Sequence, residues 1–241
     1  MSSGPEGKRF LSVGIDRQII VWDLATREAI QSYRGGDAPL HAGAFSPRGD
    51  LVASGSDAGT IVLWSITTGR LLRTLGGSNT RGVHCLLFDH AGATLLGGCG
   101  DGKIRLWSVA TGDQIGALVG HDGGIAALAI DPHASVLASG GTDRKIRLWD
   151  LRKRKLLSVM EGHEDRIFSL SFHPEGRVLA STSQDKTIKI WDTATRNNTC
   201  TLTGHGSTVF AIAFAAWRPL ISACEMPSKV RGSTRFPASP T

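Results

Sequence analysis

The fold of this chain is decided by the stretch GHEDRIFSLSFHPEGRVLASTSQDKTIKIWD, residues 162–192. Within it, residues 167–172, 178–181 and 187–191 are short runs of alternating apolar or β-branched residues. Gly, Pro and Asp, which favour turns, bound these runs. A fourth run at 199–202 follows a polar loop. The segment therefore predicts four short strands joined by turns, with no helix.

This unit recurs along the chain with a period of about 42 residues. One marker is a tryptophan, spaced by 42 or 43 residues, at Trp22, Trp64, Trp107, Trp149 and Trp191. A second is the residue that ends each first strand, at Phe45, Phe88, Ile130, Phe172 and Phe214. A third is a Gly-His pair, at Gly120-His121, Gly162-His163 and Gly204-His205. Four strands in a repeat of this length predict the blade of a β-propeller.

These repeats resemble the WD-repeat family of β-propellers. The resemblance is carried by the Gly-His pairs, by Ser-Gly-Gly-Thr-Asp at 139–143, and by Trp22-Asp23, Trp149-Asp150 and Trp191-Asp192. Trp64-Ser65 and Trp107-Ser108 are weaker versions of the last motif. The resemblance covers about residues 8–223 and implies an all-β propeller with four-stranded antiparallel blades. It says little about function, because one fold hosts many functions.

The repeats divide the chain into a tail, a propeller and a second tail. We expect an N-terminal tail at 1–7, a propeller at 8–223 and a disordered tail at 224–241, which is rich in Pro, Ser and Arg. Five to six blades are recognisable, and the ends are incomplete. The repeats lie at about 8–34, 35–76, 77–119, 120–161 and 162–203, with a partial repeat at 204–223.

The two ends leave two arrangements open. The chain opens on a second strand at 10–13, whereas a Gly-His pair and a first strand at 208–214 come near its other end. These two strands could pair and close a five-bladed ring, which would remove exposed strand edges. Alternatively, the chain is a fragment or isoform of a seven-bladed propeller, with ends that meet imperfectly, and we favour this arrangement.

The resemblance also implies an internal role for the repeated polar residues. It predicts hydrogen-bonded tetrads, because a buried polar group without a partner costs about 1–3 kcal/mol. The expected sets are His121, Ser139, Asp143 and Trp149; His163, Ser181, Asp185 and Trp191; and, if the ends meet, His205, Ser12, Asp16 and Trp22. The units of Trp64 and Trp107 have Gly-Gly in place of Gly-His and should lack such a chain.

Composition and motifs argue against several classes of protein. The formal charge is +6, and four scattered cysteines form no C-x-x-C pair, so a reduced compartment, cytoplasmic or nuclear, is expected. No apolar run approaches the roughly 18–20 residues of a membrane helix. Nucleotide-binding, hydrolase and zinc-protease motifs are missing from the sequence. We therefore predict no enzyme, no catalytic residue, no cofactor, no metal site, no small-molecule substrate and no membrane association.

If the tetrads are structural, the functional residues should lie on loops. Positions that vary between repeats at one end of the blades give Arg166, Gln184, Thr142 and Asp57 as candidate partner contacts. A basic run, Arg152, Lys153, Arg154 and Lys155, lies at the other end. These residues favour binding of other proteins and permit, less readily, binding of nucleic acid.

We therefore interpret the chain as a non-catalytic scaffold that displays loops to protein partners in a multi-subunit assembly. Two alternatives remain. Trp149-Asp150-Leu151-Arg152 is similar to the box by which substrate receptors dock on the adaptor of cullin-4 ubiquitin ligases. The basic run at 152–155 would serve a nucleic-acid-associated module.

Overall fold

The computed structural model describes residues 2–4, 7–36, 38–76 and 80–214, and for Ser2 and Ser3 the backbone alone. All regular structure in these residues is β, as twenty strands in five four-stranded antiparallel sheets. Sheet 1 contains β1 (Ser2–Ser3), β2 (Arg9–Val13), β3 (Gln18–Asp23) and β4 (Ala29–Arg34). Sheet 2 contains β5 (Leu40–Phe45), β6 (Leu51–Ser56), β7 (Thr60–Ser65) and β8 (Leu71–Gly76).

The remaining sheets repeat the pattern. Sheet 3 contains β9 (Val83–Phe88), β10 (Thr94–Cys99), β11 (Lys103–Ser108) and β12 (Gln114–Val119). Sheet 4 contains β13 (Ile125–Ile130), β14 (Val136–Gly141), β15 (Ile146–Asp150) and β16 (Lys155–Met160). Sheet 5 contains β17 (Ile167–Phe172), β18 (Val178–Ser183), β19 (Ile188–Asp192) and β20 (Asn197–Leu202). The prediction of an all-β propeller with four-stranded antiparallel blades is confirmed.

A tight turn joins the second and third strands of every sheet. The equivalent residue of each turn has a positive φ, between 66° and 80°, at Arg17, Gly59, Gly102, Arg144 and Lys186. A left-handed backbone costs a side chain free energy, so glycine at two of these positions avoids strain that Arg or Lys accepts at the other three. This turn places the residue before it, Asp in four of the five sheets, at the same end of each blade.

The core consists of four apolar layers, and each lies between two successive sheets. Leu11 and Phe45 belong to the layer between sheets 1 and 2, and Ile61 and Trp107 to the layer between sheets 2 and 3. Trp149 helps to fill the third layer, and Trp191 the fourth. Sheets 2, 3 and 4 therefore bury both faces against neighbouring sheets, as the blades of a propeller do, whereas sheets 1 and 5 each share one layer.

The ends of the array do not form the five-bladed closure, which was one of the two arrangements left open by the sequence. Ser2 and Ser3 pair with Leu11 and Phe10, so the segment expected as a tail supplies the first strand of sheet 1. Two serines carry no apolar alternation that would have indicated a strand. Residues 209–214 instead lie along sheet 5, and the residues that the structure describes do not close the propeller. Residues 215–223 of the partial repeat and the expected tail at 224–241 lie outside the described residues.

Candidate functional site

Sheet 5 contains a continuous chain of hydrogen bonds between four side chains. The indole N–H of Trp191 donates to Oγ of Ser181 at 2.8 Å, and the Ser181 hydroxyl lies 2.7 Å from Nε2 of His163. Nδ1 of His163 lies 2.6 Å from the carboxylate of Asp185. One tautomer satisfies all four groups, because Nδ1–H then donates to the carboxylate while Nε2 accepts from the hydroxyl.

Sheet 4 repeats this arrangement. Trp149 donates to Ser139 at 2.8 Å, Ser139 lies 2.7 Å from His121, and Nδ1 of His121 lies 2.9 Å from Asp143. The buried guanidinium of Arg147 also binds the Asp143 carboxylate. Burial alone would raise the pKa of Asp143, but the hydrogen bonds and charges of His121 and Arg147 outweigh it and hold that pKa well below its ordinary value.

The third expected tetrad does not form. Trp22 donates to Ser12 at 2.8 Å, but His205 is exposed and makes no hydrogen bond to Ser12 or Asp16, all of which lie in the described part of the chain. The prediction was wrong because it required residues 208–214 to pair with β2. In the structure the amide of Val209 instead donates to the carbonyl of Ser183 in sheet 5, at 3.1 Å.

In sheets 2 and 3 the buried polar side chains do not form a tetrad. In sheet 2 the indole N–H of Trp64 and the hydroxyl of Ser54 are buried without a partner. In sheet 3 the Asp101 carboxylate accepts two hydrogen bonds from Arg105, at 2.9 and 2.7 Å. Although burial raises the pKa of Asp101, the Arg105 guanidinium lowers it below its ordinary value. Gly97 occupies the serine position, and an added Cβ there would lie 2.8 Å from the Trp107 ring.

The complete tetrads are closed to solvent. The side chains of His121 and His163 are 0% exposed, and those of Asp143 and Asp185 are 6% exposed. Each imidazole nitrogen already has a partner, so neither histidine has a free nitrogen that faces a space where a substrate could bind. Burial also lowers the pKa of His163 and favours its neutral form. The geometry is that of structural links between strands.

Open space occurs instead where the first strands begin. A cavity of about 710 Å³ is lined by the second residue of the first strands β5, β9, β13 and β17 and by the matching residue of the segment after sheet 5. These residues, spaced by 42 or 43 positions, are His41, His84, Ala126, Phe168 and Phe210. We call this site the cavity mouth. Its lining series has the same period as the tryptophans, but every position of a repeat shares that period, so the period alone does not identify the site.

Three of the four predicted loop contacts lie at or beside the cavity mouth. Thr142 and Arg166 line it, and Asp57 forms an ion pair with His41 at 2.9 Å. Gln184 does not line the cavity, but its backbone amide donates to the carbonyl of Arg166, which does, at 3.0 Å. Arg81 also lines the cavity and was not identified from the sequence, because it lies one residue before the position that was compared between repeats, which Gly82 occupies.

The basic run lies at the opposite end of sheet 4, with residues 152–154 in the turn between β15 and β16 and Lys155 as the first residue of β16. The guanidinium of Arg154 donates to the carbonyl of Ile115 in sheet 3, which joins two neighbouring sheets. The ammonium of Lys153 lies 3.9 Å from Asp150, while Arg152 and Lys155 are exposed. One of the four cations is therefore committed to packing between sheets, which weakens the case for a nucleic-acid surface.

The four-residue box that contains Arg152 is largely enclosed. Trp149 is 2% exposed, and Leu151 packs against the layer between sheets 3 and 4. The carboxylate of Asp150 accepts a hydrogen bond from the amide of Lys153 at 2.8 Å. Arg152 alone is exposed to solvent, so the structure does not favour the docking alternative.

Metal sites and membrane-spanning helices are both missing from the part of the chain that the structure describes. No set of three or more His, Cys, Asp or Glu side chains is placed to hold a metal ion among the described residues. The same residues include no helix with the length and apolar character needed to cross a bilayer.

Comparisons with known proteins agree with this architecture. The family model "WD domain, G-beta repeat" matches residues 112–150 and 154–192, and the model "Anaphase-promoting complex subunit 4 WD40 domain" matches residues 43–129. Together the matches include sheet 2 from residue 43 onward, all the strands of sheets 3 and 4, and sheet 5 as far as β19.

Relatives match over short segments. Serine-threonine kinase receptor-associated protein of Gallus gallus is 41% identical over 66 residues, which is 27% of this chain and 19% of that protein. Eukaryotic translation initiation factor 3 subunit I of Neurospora crassa is 39% identical over 69 residues, 29% of this chain and 20% of that protein. Small ribosomal subunit protein RACK1y of Oryza sativa subsp. japonica is 33% identical over 87 residues, 36% of this chain and 25% of that protein.

The matched segments thus span about a fifth to a quarter of these relatives' own lengths. Repeats of this family are typically non-catalytic. The period near 42 residues, the five four-stranded sheets, the polar tetrads and the two repeat models all agree. The chain belongs to the WD-repeat family.

Proposed function

We propose that this protein is a non-catalytic platform for protein–protein interactions within a multi-subunit assembly, with the cavity mouth as its main contact surface. One observation carries the proposal. The polar groups that resemble a catalytic constellation are enclosed and saturated with hydrogen bonds, whereas Arg166, Thr142 and Arg81 are exposed around an open cavity. Chemistry therefore has no accessible centre in the tetrads, while binding has an accessible surface.

The names of the relatives support the proposal. One is named as a receptor-associated protein, one as a subunit of a translation initiation factor and one as a protein of the small ribosomal subunit. Each name places its protein in a larger assembly. The proposal extends this role to our chain, acting inside the cell in the cytoplasm or nucleus, without a cofactor or a small-molecule substrate.

The proposal is tested by site-specific crosslinking in cells. A photo-crosslinking amino acid is introduced at Thr142 in the cavity mouth and, as a matched control, at Thr74, which is exposed on the outer strand β8. We expect discrete protein adducts from position 142 and few from position 74. Equal crosslinking at both positions, or adducts from position 74 alone, would contradict the proposed surface.

A further inference from the structure

We propose that the cavity mouth binds a short acidic peptide segment that carries an apolar side chain. This inference rests on the platform function above and specifies the chemistry of its partner. It is carried by the charge, shape and aromatic content of the lining, which are independent of the repeat motifs.

The charge of the lining has one sign. Arg81 and Arg166 line the cavity, and their guanidinium groups make no ion pair or side-chain hydrogen bond with any described residue. His41 and His84 lie beside them, with ring centroids 6.4 Å apart. No Asp or Glu is among the described residues that line the cavity. A ligand with carboxylates would therefore supply the missing opposite charge.

The two arginines are held at the edge by backbone geometry. Arg81 has a positive φ of 50°, and Gly100 packs so tightly beneath it that an added Cβ would lie 2.0 Å from the Arg81 carbonyl oxygen. The backbone of Arg166 accepts a hydrogen bond from Gln184 and donates one to Asp165. Fixed backbones reduce the ordering cost of binding, although both side chains remain exposed.

An aromatic pair supplies the apolar part of the site. The rings of Phe168 and Phe210 are 5.1 Å apart, and Phe210 is 67% exposed. Val209, which precedes Phe210, is buried and hydrogen-bonded to Ser183, so the exposed ring projects from an anchored backbone. An exposed aromatic group beside unpaired cations suits a residue pattern that alternates acidic and apolar side chains.

The surroundings of the cavity favour a peptide over a nucleic acid. Asp122 and Glu164 are exposed in the connections that lead into β13 and β17, and Asp57 is paired with His41. These carboxylates interrupt any continuous basic track, which a phosphate backbone needs for several simultaneous contacts. A volume of about 710 Å³ accommodates a few side chains of an extended peptide.

The test uses a fluorescent peptide in which glutamates flank a single phenylalanine, with anisotropy as the readout. The controls are the same peptide with glutamine or lysine in place of glutamate, and a single-stranded oligonucleotide of matched length. The variants are Arg81→Glu, Arg166→Glu and, as a matched control with the same change of charge, Arg70→Glu in the turn between β7 and β8 at the opposite end of sheet 2.

We expect the acidic peptide to bind more tightly than either control peptide and the oligonucleotide, with an affinity that falls as salt is added. Each cavity variant should weaken binding by roughly threefold and the double variant by roughly tenfold, because exposed charge pairs are individually modest. Arg70→Glu should leave binding unchanged. A Phe210→Ala variant should also weaken binding and should keep the salt dependence.

Three results would overturn the inference: no preference for the acidic peptide, equal loss with Arg70→Glu, or tighter binding of the oligonucleotide that depends on Arg81 and Arg166. If the lysine or glutamine peptide binds at the cavity instead, the acidic specificity is wrong and the platform function stands. If crosslinks from position 142 are absent while the acidic peptide binds, the platform function is wrong and the site remains.

Discussion

Nδ1 of His163 lies 2.6 Å from Oδ2 of Asp185, although the two residues are 22 positions apart and the imidazole is closed to solvent. This contact connects the segment that enters sheet 5 to the turn between β18 and β19. Because Ser181 and Trp191 complete the chain, the loss of one member leaves buried polar groups without partners.

We predict that His163→Ala lowers the free energy of unfolding by about 1–3 kcal/mol or more, since Ser181 and Asp185 both lose a buried partner. Denaturant melts of the variant and the parent protein measure this difference. His205→Ala is the matched control, because His205 occupies the same position of its repeat but is exposed. A loss of stability for His205→Ala as large as that for His163→Ala would contradict the assignment.

Acidification should weaken the same tetrad. The Thr187 hydroxyl, the His163 imidazole and two backbone amides outweigh burial and lower the pKa of Asp185 to about 2. The ionised carboxylate therefore favours the folded state, and its contribution, complete above about pH 4, is lost as the pH falls towards 2. The lowered pKa of His163 affects stability at higher pH. As the pH falls below 6.5, the ordinary pKa of histidine, this side chain binds a proton more readily in the unfolded chain than in the folded protein, and stability falls.

Stability measured against pH checks the effect of Asp185. Asp185→Asn should be less stable than the parent at neutral pH and should lose less stability than the parent below pH 4. Asp113→Asn, at an exposed turn, should follow the parent curve. An unchanged acid limb in Asp185→Asn would show that other groups control acid unfolding.

The two indole groups of Trp64 and Trp191 provide a comparison at constant size. The Nε1–H of Trp191 donates to Ser181, whereas that of Trp64 is buried without a partner. Replacement by Phe removes the same volume at each site but only one hydrogen bond. We predict that Trp191→Phe costs about 1 kcal/mol more stability than Trp64→Phe. Equal costs in chemical denaturation would argue against a role for the Trp191 hydrogen bond.

Close backbone packing beneath the cavity mouth gives a further prediction. A Cβ at Gly100 would lie 2.0 Å from the Arg81 carbonyl oxygen, so Gly100→Ala must displace that loop. We expect a loss of about 1–3 kcal/mol in thermal or chemical unfolding, typical of overpacking. Gly206→Ala, where a Cβ meets no atom within 4 Å, should have little effect. Comparable losses of stability in both variants would show that the close contact between Gly100 and the Arg81 carbonyl does not cause the loss.

The sequence allowed most of the fold to be predicted, because period, turn residues and strand alternation all reflect local chemistry. The strands of sheets 2 to 5 could be predicted from these patterns. The four members of each tetrad in sheets 4 and 5 could be predicted as well. The strand at Ser2–Ser3 was not, since its backbone pairs without any apolar side chain to indicate it. Complementary motifs at the two ends suggested closure, but motif content does not specify which sheet edge a strand joins.

The candidate site was harder to predict from the sequence than the fold. Thr142 and Arg166 could be identified as variable loop residues, but the lining series from His41 to Phe210 comes from first strands, where alternation usually indicates a core. Arg147 was also missed as a partner of Asp143, although Asp101 and Arg105 repeat the same spacing one unit earlier. Whether a strand residue faces a layer or a cavity depends on the arrangement of sheets, which is a non-local property.

The separation of the core into four layers has a consequence for how this protein denatures. Every layer is shared by two successive sheets. The free energy that holds the sheets together is therefore close to the sum of the packing energies between neighbouring sheets. Among the described sheets, sheets 1 and 5 share a layer with one neighbour each, so either can detach without disturbing the other layers. We therefore expect unfolding to begin at the terminal sheets and to proceed in several steps. A single midpoint fitted to a denaturation curve would then be an average over these steps.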